Sequence, residues 1–232
     1  MGSAINQVIL STKQTAPLRR SYRHGDLRRA LLDAGVALAR EGGPQAIVLR
    51  EATRRAGVVP NAAYRHFVNH RALLEAVRAE ALALLARAIE AQVDATRRLR
   101  DPQQRARAAF RGVGLGYLGF ARAEPGLFRT AFTARAFELS EFAPEDTAPR
   151  GASGLDPYQL LCSTLDGLVA TGLLPPAQRS GAEFMAWSAV HGMAVLMLDG
   201  PLRGLDDATC RKLAERLVAM VEQGLLAAGP DR

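Results

Sequence analysis

Cysteine is scarce in this chain. The 232 residues hold two, Cys162 and Cys210, far apart and in no metal-ligand spacing. That excludes a disulfide-stapled scaffold and reads as two buried thiols in a reducing compartment. Long apolar runs are missing too. None approaches the roughly 20 residues needed to span a bilayer, so no membrane partner is expected. The opening MGSAINQVILSTKQTAPLRR lacks the apolar stretch of a secretory signal and reads as a floppy arm. A cytoplasmic location is expected. There is no convincing strand pattern and no internal repeat. No Ser/His/Asp set and no paired carboxylates have a spacing that compels catalysis. The expectation is therefore a binding protein with no cofactor and no metal, not an enzyme.

Two short motif matches carry little weight. GLGYLG at 114–119 fits the G-x-G-x-x-G dinucleotide fingerprint, but that fingerprint needs a preceding strand. The residues before it, RARAAFR, read as helix. His66 and His70 are four apart, as in a metal pair. Phe67-Val68-Asn69 lies between two helices, however, so the rings need not share a face.

What is present is helix and a lopsided charge. Apolar residues make up 48% of the chain, enough for a packed globular core. The net charge is +7, and its placement matters more than its size. Residues 1–80 carry thirteen Lys/Arg against six Asp/Glu, whereas residues 81–232 carry seventeen of each. The whole excess lies in the first third, which suggests a polyanionic partner for that third.

The apolar periodicity predicts an all-α fold of about nine helices. Leu27, Leu31, Ala34 and Leu38 form the stripe of a first helix, stopped by Glu41-Gly42-Gly43 and Pro44. A second helix runs from Leu49 to Ala56 and ends at Gly57. A third opens at Pro60 and closes near Phe67. A fourth, long helix starts near His70, with Leu73, Leu74, Val77, Ala81, Leu84, Leu85 and Ala88 on one side. The fifth spans roughly 102–122, and the sixth covers PGLFRTAFTARAF from Pro125. Residues 141–156 read as a surface loop rich in Pro, Gly and acid. The seventh, eighth and ninth helices are placed at 157–172, 181–198 and 206–227. The ninth has Leu213, Leu217, Met220, Val221 and Leu225 on one side.

Helix, glycine turn and second short helix make a helix-turn-helix, whose second helix can enter the major groove of DNA. Tyr64, Arg65 and His66 each offer a donor to phosphate oxygens. The bland alternative is an ordinary helical hairpin with exposed ends. Residues 23–77 resemble the DNA-binding region of the tetracycline-repressor family of bacterial transcription regulators. The likeness rests on LRRALLDAGVALAREGG, LREATRRAGV and AAYRHFVNHRALLEAV. The resemblance implies a floppy basic arm over 1–20, a DNA-binding domain over 21–80, and a ligand-binding and dimerisation domain over 81–232. It implies that Arg50 contacts a base or phosphate, that Asn61 and Ala62 meet base edges, and that Tyr64 and His66 contact phosphate. His70 occupies a position where the family usually has lysine. The chain also departs from the family at Val48 and Val59, where Ser or Thr is common, and at Thr53, usually a small apolar residue. A valine cannot cap a helix or bond a phosphate, so anchoring is expected to weaken or to shift to Arg19, Arg20, Arg23 and Arg50.

In the remaining two-thirds, AWSAVHGMAVLML resembles a subgroup with a Trp-x-x-x-His-Gly element. Trp187 and His191 share a helix face and either line a pocket or serve as core anchors. Phe110, Tyr117, Phe120, Phe128, Phe132, Tyr158 and Cys162 are pocket candidates as well as core candidates. Gly112, Gly116 and Gly119, at spacings of four and three, carve a groove that admits another helix or a ligand. The expected function is a homodimer, joined through its eighth and ninth helices. It would repress from a palindromic operator in double-stranded DNA and be released by a small hydrophobic effector. The alternatives are a helical enzyme using the aromatic pocket, or a dimer that has lost DNA binding through Val48 and Val59 and acts by protein contact.

Overall fold

The computed structural model describes residues 24–133 and 150–227. Arg19, Arg20 and Arg23 lie outside them, as do the arm over 1–20 and most of the 141–156 segment. The described residues are helical throughout, with no strand among them. The helices are α1 (His24–Gly42), α2 (Leu49–Ala56), α3 (Pro60–Ala63), α4 (His70–Ala95), α5 (Pro102–Ala123), α6 (Pro125–Ala131), α7 (Pro157–Ala170), α8 (Ala182–Leu198) and α9 (Asp207–Ala227).

The termini follow local chemistry. Gly57 ends α2 in the left-handed conformation at φ 68°, which glycine adopts without a Cβ penalty. Asn69 caps α4 by accepting the Ala72 N–H at 2.9 Å. Asp101 caps α5, and Asp156 with Gln159 forms a capping box on α7. Val48 at the head of α2 gives no side-chain cap, as its chemistry requires.

The long α4 is the spine. Leu73, Val77, Ala81, Leu85 and Ile89 are all fully buried along it, so one stripe serves first α1 and then α5. Glycines set how closely α5 lies on α4. A Cβ at Gly116 would meet the Ile89 Cα at 2.7 Å, and one at Gly112 would meet the Gln92 and Val93 backbone at 3.3 Å. The groove in α5 is thus filled by α4 rather than by a ligand. Gly119 is not part of it and faces open space, while Gly114 accommodates Val218 of α9.

Helical hydrogen bonding in α3 covers four residues and not the eight expected. Tyr64–His66 form a tighter turn, in which the N–H groups of His66 and Phe67 share the Ala63 carbonyl, both at 2.9 Å. The turn lets Phe67 drop into the core beneath the Arg28 guanidinium, which sits 5.3 Å from its ring centre. Helix α6 is described to Ala131, and the expected extension toward residue 137 lies outside the described residues.

The deepest face of α9 is Cys210, Ala214, Val218 and Glu222, spaced by four. The expected stripe of Leu213, Leu217, Val221 and Leu225 flanks that face and is partly buried, and Met220 points outward. Glu222 is fully buried and pairs with Arg107 at 3.0 Å and with Arg111, tying α9 to α5.

The body and the first three helices meet at α6. Gly126 lies against the last turn of α1 so closely that a Cβ there would stand 2.0 Å from the Ala39 carbonyl oxygen. Gly126→Ala is expected to destabilise the protein by about 1–3 kcal/mol through overpacking. Gly119→Ala, on an open face, should stabilise it by about 0.5–1 kcal/mol. Chemical denaturation of the two variants beside the parent checks both signs.

Candidate nucleic-acid interface and effector core

Helix α2 buries Leu49, Ala52 and Thr53 and turns its arginines outward. The buried Thr53 hydroxyl donates to the Arg50 carbonyl at 2.6 Å, so this departure from a small apolar residue carries no unpaired polar group. Arg54 and Arg55 are committed within the protein. Arg54 reaches Glu51 at 2.6 Å, and Arg55 bridges Glu51 and Glu41. Hydrogen bonds from Arg54 and then Arg55 hold the Glu51 carboxyl down at about 2. Arg50 and Arg65 are exposed and have no hydrogen bond or ion pair among the described residues.

Around the short α3, Asn61 and Tyr64 are exposed, Ala62 and His66 half-buried, and Ala63 buried. The same region holds exposed apolar side chains: Val48 at 46%, Val59 at 68% and Val68 at 74%. A shallow surface groove lined by Val48, Arg50, Glu51, Thr53, Arg54 and Val58 runs alongside α2. His70 is engaged inwardly, its Nε2 bonded to the Ile47 carbonyl. That contact pins the start of α4 to the segment before α2.

The nine pocket candidates do not form one site. Tyr117, Phe128, Phe132, Trp187 and His191 converge between α5, α6 and α8. The Phe128 and Phe132 rings are 4.9 Å apart, and the Phe132 and His191 rings 5.0 Å. Tyr117 packs edge-on to Phe128 at 5.4 Å. Tyr158 and Cys162 of α7 belong to a second cluster with Phe184 and Glu183 of α8 and with Arg179 just before α8. Burial pushes the Tyr158 hydroxyl up to about 12 and raises the Cys162 thiol as well. Phe110 and Phe120 are buried core residues of α5, with no recorded ring contact to either cluster among the described residues.

The convergent cluster has a polar axis. Trp187 Nε1–H donates to Tyr117 Oη at 3.3 Å, and Tyr117 Oη lies 2.7 Å from His191 Nδ1. Indole nitrogen can only donate, so the phenol oxygen accepts from it, and the direction of the Tyr117–His191 bond follows the imidazole tautomer. Burial lowers the His191 pKa, keeping the ring neutral, and burial raises that of the Tyr117 hydroxyl.

Contacts the sequence did not suggest surround α6. Arg40 of α1 reaches Glu124 at 3.0 Å, Arg129 of α6 reaches Asp199 beyond α8 at 2.6 Å, and Arg78 of α4 donates to the Ala131 carbonyl at 3.2 Å. These pairs join residues far apart in sequence, and no local spacing signals them.

The helix-turn-helix head and separate helical body define a class: an all-α regulator that couples a duplex-facing module to a ligand-facing one. Residues 31–77 match the bacterial regulatory proteins of the tetR family, and residues 110–221 match the tetracyclin repressor-like C-terminal domain. The chain belongs to the tetR family. It is a DNA-binding, ligand-responsive transcriptional regulator. No curated protein matches it. Several solved structures share its fold. A protein of unknown function from Rhodococcus sp. RHA1 does so with a TM-score of 0.69 at 24% identity, over 90% of this chain and 100% of that one. A TetR-family transcriptional regulator from Pectobacterium atrosepticum gives 0.59 at 20% identity, over 90% and 97%. A TetR variant from Acinetobacter baumannii AYE, in complex with minocycline, gives 0.54 at 18%, over 88% and 97%.

The neutral His191 makes a pH dependence. Its folded pKa lies below the ordinary 6.5, so the unfolded chain takes up a proton first. The associated stability is fully present above about pH 6.5 and is lost as the pH falls toward the lowered folded value. Between pH 7.5 and 5.5 the melting temperature of the parent should fall more than that of His191→Asn. Parallel melts at the two pH values measure the difference.

Proposed function

We propose that the protein is a homodimeric repressor that binds a palindromic operator and is released by a small, largely apolar molecule. The observation that carries this reading is the pairing of a duplex-facing head that keeps Arg50, Asn61, Tyr64 and Arg65 exposed with an aromatic, partly polar core in the body. Arg50, Tyr64 and Arg65 are the phosphate donors in this reading, with His66 beside them, and Asn61 and Ala62 face base edges. His70 acts mainly by holding α4 against the Ile47 carbonyl. Arg23 adds a further cation just ahead of the head.

Dimerisation through α8 and α9 is supported by what those helices leave uncovered. Phe184, Met185, Val195, Leu196 and Met220 are exposed, and five large apolar side chains on two adjacent helices suit a helical bundle with a second copy. Two heads set about one helical turn apart, roughly 34–36 Å, or a multiple of it, would read both half-sites.

The effector site in this reading is the Tyr117, Phe128, Phe132, Trp187 and His191 cluster. Its rings favour a flat apolar molecule. His191 Nε2, which has no partner among the described residues, favours one bearing a polar group that can hydrogen-bond the ring. Phe128 lies on α6, so a molecule that displaces the ring also moves the helix seated on α1. Ligand and operator would thereby favour different settings of the two heads. The protein acts in this scheme by binding alone, without catalysis.

Selection from a randomised duplex library, followed by anisotropy titration at stepped salt, tests the reading. Failure to bind any duplex at low ionic strength overturns it. With a selected duplex, Arg50→Ala removes one phosphate contact from each of the two heads and should reduce the salt slope by about 1.8, and Tyr64→Phe should weaken binding about two- to tenfold. Met185→Asp combined with Met220→Asp should sediment as a monomer that folds but binds the selected duplex poorly. A dimer from that variant places the interface elsewhere.

A further inference from the structure

The exposed valine ahead of α3 has a surface that the phosphate backbone cannot satisfy. Val58 packs against the core, while its neighbour Val59 is 68% exposed. A β-branched side chain is stiff at χ1, so it offers a fixed apolar surface rather than a mobile one. The head that carries it also exposes polar and cationic groups. Asn61 is exposed two residues on, and neither Arg50 nor Arg65 has a partner among the described residues. Charge complementarity therefore selects a polyanionic duplex as the occupant of this face.

The floor of the major groove is polar with one exception. Base edges there present nitrogen and oxygen donors and acceptors, and the thymine C5-methyl is the sole apolar group. A side chain that can only make apolar contact thus has one kind of base to read. Asn61 has the complementary property: its amide offers one donor and one acceptor, the pattern that matches adenine N6 and N7. Ala62, small and half-buried, lets the backbone come close to the bases.

We propose that Val59 and Asn61 together set operator sequence. Val59 packs on a thymine methyl, and Asn61 bonds an adenine one or two steps away, so each half-site contains a thymine whose methyl group is read. This rests on the DNA-binding reading above and adds the chemistry of one base pair to it.

The test uses the full chain and the duplex it selects from a randomised library. Each thymine of a half-site is replaced in turn by deoxyuridine, which removes the C5-methyl and leaves every hydrogen-bonding group in place. At one position per half-site the parent should bind the deoxyuridine duplex about three- to tenfold more weakly. Val59→Ala should bind the thymine and deoxyuridine duplexes alike at that position. Asn61→Ala should keep the methyl penalty and relax the preference for the neighbouring adenine. Val59→Ser serves as a second variant, and unchanged melting of both Val59 variants shows that the head is intact. Parent binding that is indifferent to every deoxyuridine, with the duplex still bound tightly, overturns the inference and leaves the DNA-binding reading standing. An unchanged penalty in Val59→Ala moves the methyl contact to another residue and also overturns it. Absence of binding to any duplex removes both readings together.

Discussion

The structure depends on one backbone-to-backbone seat. Helix α6 begins at Pro125, and its second residue, Gly126, lies where any side chain would strike the Ala39 carbonyl. Interiors packed this closely respond to displacement as rigid bodies, not as yielding ones. A shift of α6 is therefore handed to α1, and α1 is packed directly against α2. The arginine contacts fix the other degrees of freedom. Arg40–Glu124 joins α6 to α1, Arg78 holds its last carbonyl from α4, and Arg129–Asp199 anchors it to the end of α8. A seven-residue helix touching all of these neighbours cannot move independently of them. If a ligand does bind at Phe128 as proposed, its coupling to the head is reciprocal: each occupant changes the other's affinity by the same factor.

The same logic explains why α5 is rich in glycine despite the helical cost of each one. Gly112 and Gly116 let α5 lie against the α4 backbone, and Gly114 takes Val218 on the opposite side. Three glycines thus set two interhelical distances, making α5 a narrow partition between the spine and α9. The buried carboxylate of Glu222 works in the same place. It neutralises two arginines of α5 that would otherwise repel each other, and fixes the register of α9 along the partition. The cost of burying that carboxylate is offset only because both arginines reach it, so α5 and α9 have one satisfactory alignment.

Much of this was legible in the sequence wherever the cause is local. The end of α2 could be read because Gly57 supplies a left-handed stop, and the start of α4 near His70 from its apolar stripe. The early end of α3 could not, because it comes from Phe67 seeking the core, a tertiary demand that bends a helical pattern into a turn. In α9 apolarity pointed to Leu213, Leu217 and Leu225, yet the deepest positions are Cys210, Ala214, Val218 and Glu222. Close packing favours small residues there, and a buried glutamate is intelligible only once Arg107 and Arg111 arrive from another helix. The candidate site divides the same way. The Trp187 and His191 pair was visible as a shared helix face, and Tyr117 between them was not, since its hydroxyl joins them from α5. Tyr158 and Cys162 went to a second cluster because α7 sets them against Phe184 and Glu183, one turn before Trp187 on α8.

The division of charge in the head shows where affinity and specificity arise. Between residues 24 and 80 there are nine arginines against six acids. Several of those arginines are spent internally: Arg29 on Asp33, Arg54 and Arg55 on Glu51 and Glu41, Arg71 on Glu75. The rest of the basic excess lies in residues 1–23, so the folded head is only mildly cationic. A mildly cationic head gains little from nonspecific phosphate contact, which is the term that binds every duplex equally. Side chains that distinguish base pairs then make up a larger share of the binding energy. In the proposed dimer, two such heads would recover the lost affinity only where both half-sites are present, because the second contact is intramolecular. A weakly charged head with a sharp apolar and amide contact surface therefore favours selectivity over raw grip.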